Sequence, residues 1–295
     1  MHPQSDRQSG DGGGLPRPGQ EKEAFVRKLF DTIAPRYDLM NTVMTGGYVL
    51  RWQRCFAQVT FLRPGQAALD VCCGTGELAL IMARQVAPGG RVVGLDFSPR
   101  MLAIARGKAA HWQATRTGRT GPGRGRHAGP GSLEFASAEG EPVEIHFVTG
   151  DALQLPFPDG SFDCAAIGFA LRNVSDIPRC LAEMARVVRP GGRVVALEVC
   201  RPPSRWVRAW FYPYFYTVVP LLGLLAGFRR PVAGGPLRPY SYLPRSLAYL
   251  PDLGDLAAAF AAAGLTEVQY RVLPPGVAAL HWGTVPRTRS GASGG

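Results

Sequence analysis

The sequence predicts an α/β fold with a mainly parallel sheet and helices on both faces. Three observations predict it. Short strand-like segments rich in valine and isoleucine alternate with helix-like segments. A glycine turn follows the first strand-like segment, and aspartates end other strand-like segments. The candidate strands are AALDV, RVVGLDF, IHFVTGD, FDCAAIGF and GRVVALEV, beginning at residues 67, 91, 145, 162 and 192. Right-handed crossovers place the carboxyl ends of such strands at one edge, where ligands bind.

Helix-like segments separate these strands, at 77–86, 99–110 and 176–188. Before the first strand, apolar residues recur at three- and four-residue spacing over 21–62, which predicts helices that Pro35 interrupts. The polar residues at either end, 1–20 and 285–295, are predicted to be disordered tails. One domain is therefore expected over 21–284.

The charge of the chain favours an anionic partner, because the formal net charge is +11 over 295 residues. Arginines crowd into 116–126 and 201–245. The first of these clusters lies in 114–142, a glycine- and arginine-rich stretch that is predicted to be a disordered insertion. That stretch lacks aromatic side chains that stack on bases, so nucleic acid is not an expected partner.

An uncharged apolar stretch occupies 209–228 and has about the length of a membrane helix. Pro213, Pro220, two glycines and a dense aromatic block interrupt it. We therefore expect a helical cap over an apolar pocket, at 201–240 and in contact with a bilayer surface, rather than a membrane span.

The six cysteines are interpreted as buried free thiols. None forms a CxxC pair and no histidine stands at metal-ligand spacing from them, so no metal is expected. Cys72 and Cys73 are interpreted as small apolar fillers beneath the glycine turn.

The glycine turn after the first strand is the first candidate ligand site. Its candidate residues are Asp70, Gly74, Thr75 and Gly76. Glycine admits positive φ and lets a ligand contact the main chain. The dinucleotide pattern GxGxxG lacks its third glycine here, since that position is Ala79, and Glu77 stands where a pyrophosphate would bind. S-adenosylmethionine, with a sulfonium and an ammonium and no phosphate, fits this turn better.

Two aspartates end the second and third strands at the same edge. Asp96 stands about 20 residues after Gly76, where it is placed to accept hydrogen bonds from both ribose hydroxyls, and Phe97 follows it in the same candidate site. Asp151 is a candidate acceptor for the exocyclic amine of adenine, while Ala152 offers its backbone. Capping of its own loop is the alternative role for Asp151.

These segments carry a family resemblance. LDVCCGTGE, GLDFSPRML, GDALQLPFPDGSFD and ARVVRPGGRVVALE, in this order, resemble a class I S-adenosylmethionine-dependent methyltransferase. FDTIAPRYDLMNTVMTGG, FALRNVSD, YSYLPRSL and GVAALHWGT are similar to the C-methyltransferase family of menaquinone and ubiquinone biosynthesis. The resemblance implies a Rossmann-like, mainly parallel seven-stranded sheet with an N-terminal helical lid over 21–62. The insertion 114–142 departs from the family pattern, as does cofactor-site residue Gly168, where the family usually has serine.

The implied reaction moves a methyl group from S-adenosylmethionine to a ring carbon of demethylmenaquinol. Such an enzyme stabilises a developing phenolate, and Arg172 with Asn173, at the edge of the fourth strand, suit that role. Arginine stays charged, which makes it a stabiliser and not a base. His281 is a candidate general base, with a satisfied core histidine as the alternative, and Glu198 is a second candidate.

The resemblance also assigns roles to the lid and the cap. Tyr37, Asp38 and Asn41 are expected to close over the cofactor, and Tyr240 and Tyr242 to line the quinone pocket. The isoprenoid tail of the quinol explains the apolar cap, whose flanking arginines would rest on an anionic membrane surface. A cytoplasmic protein held peripherally at the inner face of the cell membrane is expected, and a homodimer is left open.

Three alternatives stay open at this point. A benzoquinol of the ubiquinone pathway fits the same motifs as the naphthoquinol. A methyltransferase acting on RNA or protein would instead have positive charge along the catalytic edge. A non-catalytic module that keeps the cofactor fold is disfavoured by the complete set of Asp70, Gly74, Gly76 and Asp96.

Overall fold

The computed structural model describes residues 15–16, 19–116, 141–232 and 236–287. Its strands are β1 (Ala67–Val71), β2 (Arg91–Asp96), β3 (Glu144–Thr149), β4 (Phe162–Gly168), β5 (Val188–Val199), β6 (Thr266–Leu273) and β7 (Ala278–Thr284). In this part of the chain they form one sheet of seven strands in the order β3-β2-β1-β4-β5-β7-β6. Neighbouring strands from β1 to β5 pair in parallel, and β7 lies antiparallel between β5 and β6. The predicted mainly parallel sheet is confirmed.

Ten α-helices accompany the sheet in the described residues. They are α1 (Gln20–Ile33), α2 (Tyr37–Met44), α3 (Tyr48–Thr60), α4 (Glu77–Val86), α5 (Pro99–Arg116), α6 (Ile177–Val187), α7 (Arg205–Pro213), α8 (Val219–Leu225), α9 (Pro239–Arg245) and α10 (Leu253–Ala262). A short 3-10 turn that contains Pro35 separates α1 from α2, because proline cannot supply the backbone N–H that would continue α1.

The sheet is buried on both faces because successive side chains of a strand point in opposite directions. On β5, Val195 and Leu197 join the core under α3, α4 and α5. Val194 and Ala196 join the opposite core under α6 and α10. Helices on both faces leave the carboxyl ends of β1 to β4 as the accessible edge of the sheet.

A third core joins the N-terminal helices to the segment between β5 and β6. Phe25 and Leu29 of α1 pack there with Met101 of α5, Val219 of α8 and Tyr242 of α9. This packing holds α1 against the accessible edge of the sheet, as expected of a lid.

The segment from α7 to α8 is helical throughout, with a π-helical stretch at Tyr214–Val218 between the two α-helices. Pro213 and Pro220 flank this stretch, and each removes a backbone donor. Within the described residues, no helix combines the length and the apolarity that a bilayer span requires.

Three predicted boundaries differ from the structure, the first being that of the expected tail 1–20, in which Pro16 is buried and α1 begins at Gln20. Helix α5 continues to Arg116, inside the segment interpreted as an insertion, and Gln113 of that helix donates to the carbonyl of Val143 at 3.2 Å. Val285 is buried and its N–H donates to Gly192 O, so the folded domain includes the first residue of the expected tail. The predictions made for 1–14, 17–18, 117–140, 233–235 and 288–295 lie outside the described residues.

Candidate active site

Two adjoining cavities open at the carboxyl edge of the sheet. The first, here called the sheet-edge cavity, has a volume of about 420 Å³ and lies between the loops after β1 to β4 and the inner side of α1. The second, the aromatic cavity, has a volume of about 320 Å³ and lies between α2, α3 and α7. Phe30, Tyr37 and Phe169 line both, so these three side chains form the boundary between the cavities.

The sheet-edge cavity collects most of the residues predicted to bind a cofactor. Those that line it are Tyr37, Gly74, Asp96, Phe97, Asp151, Ala152 and Gly168. They come from the ends of four different strands and from the lid, which are distant in sequence. Apart from Tyr37 and Cys72, its ionisable lining groups are Glu23, Arg27, Asp96 and Asp151, so carboxylates outnumber cations. Such a lining favours a cationic ligand.

Asp96 is oriented by the main chain of two loops. Its Oδ2 accepts from the N–H of Gly74 and its Oδ1 accepts from the N–H of Ser98, both at 2.8 Å. Burial raises the pKa of Asp96, and these hydrogen bonds oppose the rise. A carboxylate can accept about four hydrogen bonds, so acceptor capacity remains for ribose hydroxyls.

Three residues of the glycine turn lie outside both cavities, contrary to expectation. Gly76 has φ +81°, and a Cβ built there would lie 3.0 Å from Cβ of Ala105 and 3.2 Å from the Phe147 ring. Its missing side chain therefore serves helix–strand packing and not a ligand. Thr75 is buried and donates its hydroxyl to Asp38 Oδ1 at 2.6 Å. Asp70 is buried beneath the turn.

Glu77 pairs with a lysine of the protein, so its charge no longer supports the expectation of a cationic cofactor at the glycine turn. Its carboxylate pairs with Lys108 of α5 at 2.5 Å, and the same ammonium lies 2.6 Å from Asp38 Oδ2 of α2. A lysine of the protein thus neutralises the charge that was assigned to ligand recognition. The carboxylates that line the sheet-edge cavity, and not Glu77, are the groups that favour a cationic ligand.

Gly168 lines the sheet-edge cavity, but a neighbouring side chain accounts for its size. A Cβ at this position would lie 2.4 Å from Cδ1 of Leu78. Leu78 is buried in the core under α4. The serine that the family usually has here would require that leucine to move.

The aromatic cavity is almost entirely apolar and contains one formally charged side chain, that of Arg172. Trp52, Phe169, Phe211 and Phe215 are among its lining residues. The Trp52 indole is anchored by donation to the carbonyl of Pro274 at 2.6 Å. Flat apolar walls of this kind suit an aromatic ring ligand.

Arg172 is buried beside this cavity and is held by several partners. It forms an ion pair with Glu198 at the end of β5. Its Nε donates to Ser246 Oγ and its Nη1 to the carbonyl of Phe169, both at 3.1 Å. Burial raises the pKa of Glu198, and the Arg172 charge opposes the rise.

Asn173 lines the sheet-edge cavity and is oriented by a tyrosine of α9. The buried hydroxyl of Tyr242 donates to Asn173 Oδ1 at 3.2 Å. Neither Tyr242 nor Tyr240 lines the aromatic cavity, so the prediction that they form the quinone pocket is wrong. Tyr240 instead packs on Phe228 and covers the backbone of Gly223.

His281, the candidate general base, lines neither of the two cavities. It is 1% exposed, its Nε2 lies 3.0 Å from the carbonyl of Leu253, and its ring stacks on Tyr270. Burial lowers the pKa of His281. The ring is a core histidine between β6, β7 and α10, and its Nδ1 is buried without a hydrogen-bond partner among the described residues.

Two residues of the site escaped the sequence analysis. Lys108 carried no local signal, because its acidic partners are distant in sequence. Ser246 lies in the segment YSYLPRSL, which resembled the family, but nothing in that segment predicted contact with Arg172.

The comparisons with known proteins agree with this geometry. A model of the ubiE/COQ5 methyltransferase family matches residues 19–117 and 134–285. A relative from Symbiobacterium thermophilum, named demethylmenaquinone methyltransferase, is 41% identical over 271 residues, 91% of this chain and 95% of the relative. A relative of the same name from Thermus thermophilus is 40% identical over 258 residues, 88% of this chain and all of the relative.

Solved structures support the same fold at low sequence identity. The cyclase SpnF aligns with a TM-score of 0.58 at 18% identity, over 94% of this chain and 100% of that chain. A phosphoethanolamine-type N-methyltransferase from Haemonchus contortus aligns with a TM-score of 0.51 at 13% identity, over 80% of this chain and 52% of that one. Since a family model spans most of its length and relatives exceed 30% identity, the chain belongs to the ubiE/COQ5 methyltransferase family.

Proposed function

We propose that this chain is an S-adenosylmethionine-dependent C-methyltransferase that converts demethylmenaquinol to menaquinol. The observation that carries the proposal is the shared boundary of the two cavities at Phe30, Tyr37 and Phe169. A cavity whose ionisable groups are mostly acidic and an almost entirely apolar aromatic cavity share a boundary, which suits a direct transfer between a cationic donor and a flat apolar acceptor. The names of the relatives supply the acceptor.

The residues of the sheet-edge cavity fit S-adenosylmethionine. A side chain added at Gly74 would meet no protein atom within 4 Å, which leaves the backbone of the turn open to a ligand. Asp96 and Asp151 would hold the ribose and the adenine amine, and the acidic lining would favour the sulfonium and ammonium. The bound cofactor supplies an electrophilic methyl group, and everything else in the reaction depends on residues of the chain.

The aromatic cavity prepares the acceptor. Its walls exclude water and hold the ring carbon next to the boundary residues, which reduces the entropic cost of the encounter. Arg172 stabilises the negative charge that grows on the quinol oxygen as the ring carbon attacks. The transfer would form a bond between the methyl carbon and the ring carbon, the sulfur would keep the electrons of its former bond to the methyl group, and the ring carbon would then release its proton to solvent.

A methyl-transfer assay tests this proposal. Purified protein is incubated with labelled S-adenosylmethionine and chemically reduced demethylmenaquinone, with the oxidised quinone and a benzoquinol acceptor in parallel. We expect label only in the reduced naphthoquinone. Label only in the benzoquinol would move the enzyme to the ubiquinone pathway. Cofactor binding without label in any lipid would contradict quinol methylation and favour an RNA or protein acceptor.

We also propose that the cap docks on an anionic membrane surface, where a quinol with an isoprenoid tail resides. Trp210 and Val43 line the aromatic cavity and are also 47% and 46% exposed, so the cavity opens onto the cap surface. Further large apolar side chains of the cap are exposed there, namely Trp206, Tyr216, Val218, Leu221 and Leu225. Exposed arginines lie at both ends of the cap, namely Arg205, Arg208, Arg229 and Arg230. Apolar insertion between basic flanks supports peripheral attachment.

A further inference from the structure

The ion pair between Arg172 and Glu198 is buried at the edge of the aromatic cavity. Arg172 is 6% exposed and Glu198 is 2% exposed. Removing two charges from water costs more than their attraction usually returns, so a buried pair is weak evidence of a stabilising role. The position of this pair therefore suggests a role in the site.

The hydrogen bonds of Arg172 use only part of its guanidinium. Nε donates to Ser246 Oγ, and Nη1 donates to Phe169 O and to Glu198 Oε1. A guanidinium has five N–H donors in a fixed fork, so the two on Nη2 are the ones without a recorded partner among the described residues. Because Arg172 lines the aromatic cavity, these donors are the ones available to a ligand there.

Glu198 cannot receive a proton from the substrate directly. It lines neither cavity, and its Oε2 is buried without a hydrogen-bond partner in the described residues. Its Oε1 accepts from Arg172 and from the N–H of Val199 at 2.9 Å. We therefore expect its influence on the reaction to pass through Arg172 and not through a proton transfer of its own.

We propose that Glu198 is a positioning residue which, together with Ser246, orients Arg172 so that Nη2 binds the hydroxyl oxygen of the acceptor. Glu198 fixes one arm of the fork from β5, and Ser246 fixes Nε from the turn after α9. Rotation of the planar group is then restricted from two elements, and the remaining arm is preorganised for the charge that develops on oxygen. This inference rests on the proposed quinol methylation.

The segment YSYLPRSL acquires a role in this arrangement. Ser246 holds Arg172, and Tyr242 from the same segment holds Asn173 through its side-chain oxygen. Arg172 and Asn173 are neighbours in the 3-10 turn after β4, and each forms a hydrogen bond with one hydroxyl of this segment. The segment therefore acts on the site through Arg172 and Asn173, whereas the sequence predicts that its tyrosines contact the substrate.

Three variants and one control test the proposal with the full-length enzyme. Glu198→Ala removes the charged one of the two acceptors of Nη1, Glu198→Gln retains an oxygen there without charge, and Ser246→Ala removes the acceptor of Nε. Glu183→Gln is the matched control, because Glu183 pairs with Arg186 and accepts from Leu155 N–H, yet lines neither cavity. For each protein, kcat, the quinol KM, the cofactor affinity and the melting temperature are measured.

We expect kcat of Glu198→Ala to fall about 100-fold, as for a misplaced catalytic group, with unchanged cofactor affinity. Partial rescue, to a loss of about 10-fold, is expected for Glu198→Gln, since the hydrogen bond to Nη1 can still form. Ser246→Ala should lower kcat by a few-fold. The control Glu183→Gln should have a lower melting temperature and an unchanged kcat. This result would distinguish a positioning role of Glu198 from an effect on stability alone.

Two results would overturn the role of Glu198. One is a Glu198→Ala enzyme whose kcat stays within about twofold of wild type, because that loss of kcat is smaller than the loss expected from one missing hydrogen bond. The other is equal loss of kcat in the Glu198 variants and in Glu183→Gln. If Glu198→Ala does not fold, unchanged kcat in Ser246→Ala and Glu198→Gln contradicts the proposal equally. A wild-type enzyme that methylates no quinol would contradict the proposed function instead.

Discussion

Gly74 and Gly76 both have positive φ, but the space around them differs. At Gly76 a side chain would contact Ala105 and the Phe147 ring, whereas at Gly74 it would meet nothing within 4 Å. Gly76 is thus required by the packing of the protein itself, whereas Gly74 leaves space for a ligand. Two neighbouring glycines of one motif have separable functions.

Alanine substitutions separate these functions. Both Gly74→Ala and Gly76→Ala force a side chain into a left-handed conformation, which costs about 1–2 kcal/mol. Gly76→Ala adds steric contacts at 3.0 Å, so we expect a lower melting temperature than for Gly74→Ala. Gly74→Ala should reduce cofactor affinity at least tenfold by calorimetry. The opposite ranking, with weaker binding only in Gly76→Ala, would contradict the assignment of the ligand to Gly74.

Asp70 illustrates a buried acid whose pKa affects stability. Burial raises the pKa of Asp70 from 3.8 to about 8, with the N–H of Ala79 opposing the rise. Between these two values the folded protein binds a proton that the unfolded chain releases, so stability falls as pH rises from about 4 to about 8. Its Oδ2 has no hydrogen-bond partner among the described residues, consistent with a protonated group.

Asp70→Asn should flatten that dependence. An amide of the same shape stays neutral throughout, so the variant should lose less stability than wild type on going from about pH 5 to about pH 8. Urea unfolding of both ligand-free proteins at a series of pH values measures the difference. Parallel stability curves for the two proteins would show that Asp70 does not titrate as described.

At the scale of elements, two carboxylates attach the lid to the cofactor loops. Asp38 of α2 accepts from the Thr75 hydroxyl, in the loop after β1. Asp31 of α1 accepts from the Ser98 hydroxyl at 2.6 Å, in the loop after β2. Since α1 also forms one wall of the sheet-edge cavity, exchange of a cofactor through that wall requires these contacts to break.

Asp38→Asn tests this attachment. The change removes the ion pair with Lys108 and weakens the contact with Thr75, so α1 and α2 should open more often. We expect faster amide hydrogen exchange in α1 and α2 and faster dissociation of S-adenosylhomocysteine. Asp159→Asn, which removes a surface pair with Arg186, is the control. Unchanged exchange in both helices would show that Asp38 does not hold the lid.

At the scale of the whole molecule, the sheet-edge cavity, the aromatic cavity and the exposed apolar surface of the cap adjoin one another in that order. The sheet-edge cavity has a mostly apolar wall with several carboxylates, whereas the aromatic cavity is almost entirely apolar and opens between exposed apolar side chains of the cap. The hydroxyl of Tyr214 donates to Met44 O at 2.7 Å and so joins the cap to the lid beside the aromatic cavity. In the proposed membrane docking, this order would let the isoprenoid tail remain in lipid while the ring enters the protein.

Vesicle binding tests the orientation. We expect co-sedimentation with vesicles that contain anionic phospholipid at low salt, and a loss of at least tenfold in affinity for Trp206→Ser/Leu225→Ser. Phe61→Ser is the control, since Phe61 is 61% exposed but lies outside the cap. Activity toward a short-tailed quinol in solution should be unchanged in the double variant. Absence of wild-type binding at low salt would contradict the membrane-docking proposal.

The sequence by itself determined the local conformations and the family of this protein. The alternation of segments predicted the strands, the spacing over 21–33 predicted the buried face of α1, and the glycine turn predicted a ligand at Gly74. These features follow from main-chain geometry and from periodic burial, which are properties of neighbouring residues. The family motifs, such as the segment that holds Arg172 and Asn173, are likewise contiguous.

Only the tertiary structure decided which side chains meet. Glu77 pairs with Lys108, Glu198 with Arg172, and His281 lies under α10, although each had been considered for a role toward ligand or substrate. The reason is physical: a charged or titratable side chain acts through partners that the fold brings from distant segments. Its burial and its nearest opposite charge set its protonation and its orientation, and neither is encoded in the residues beside it.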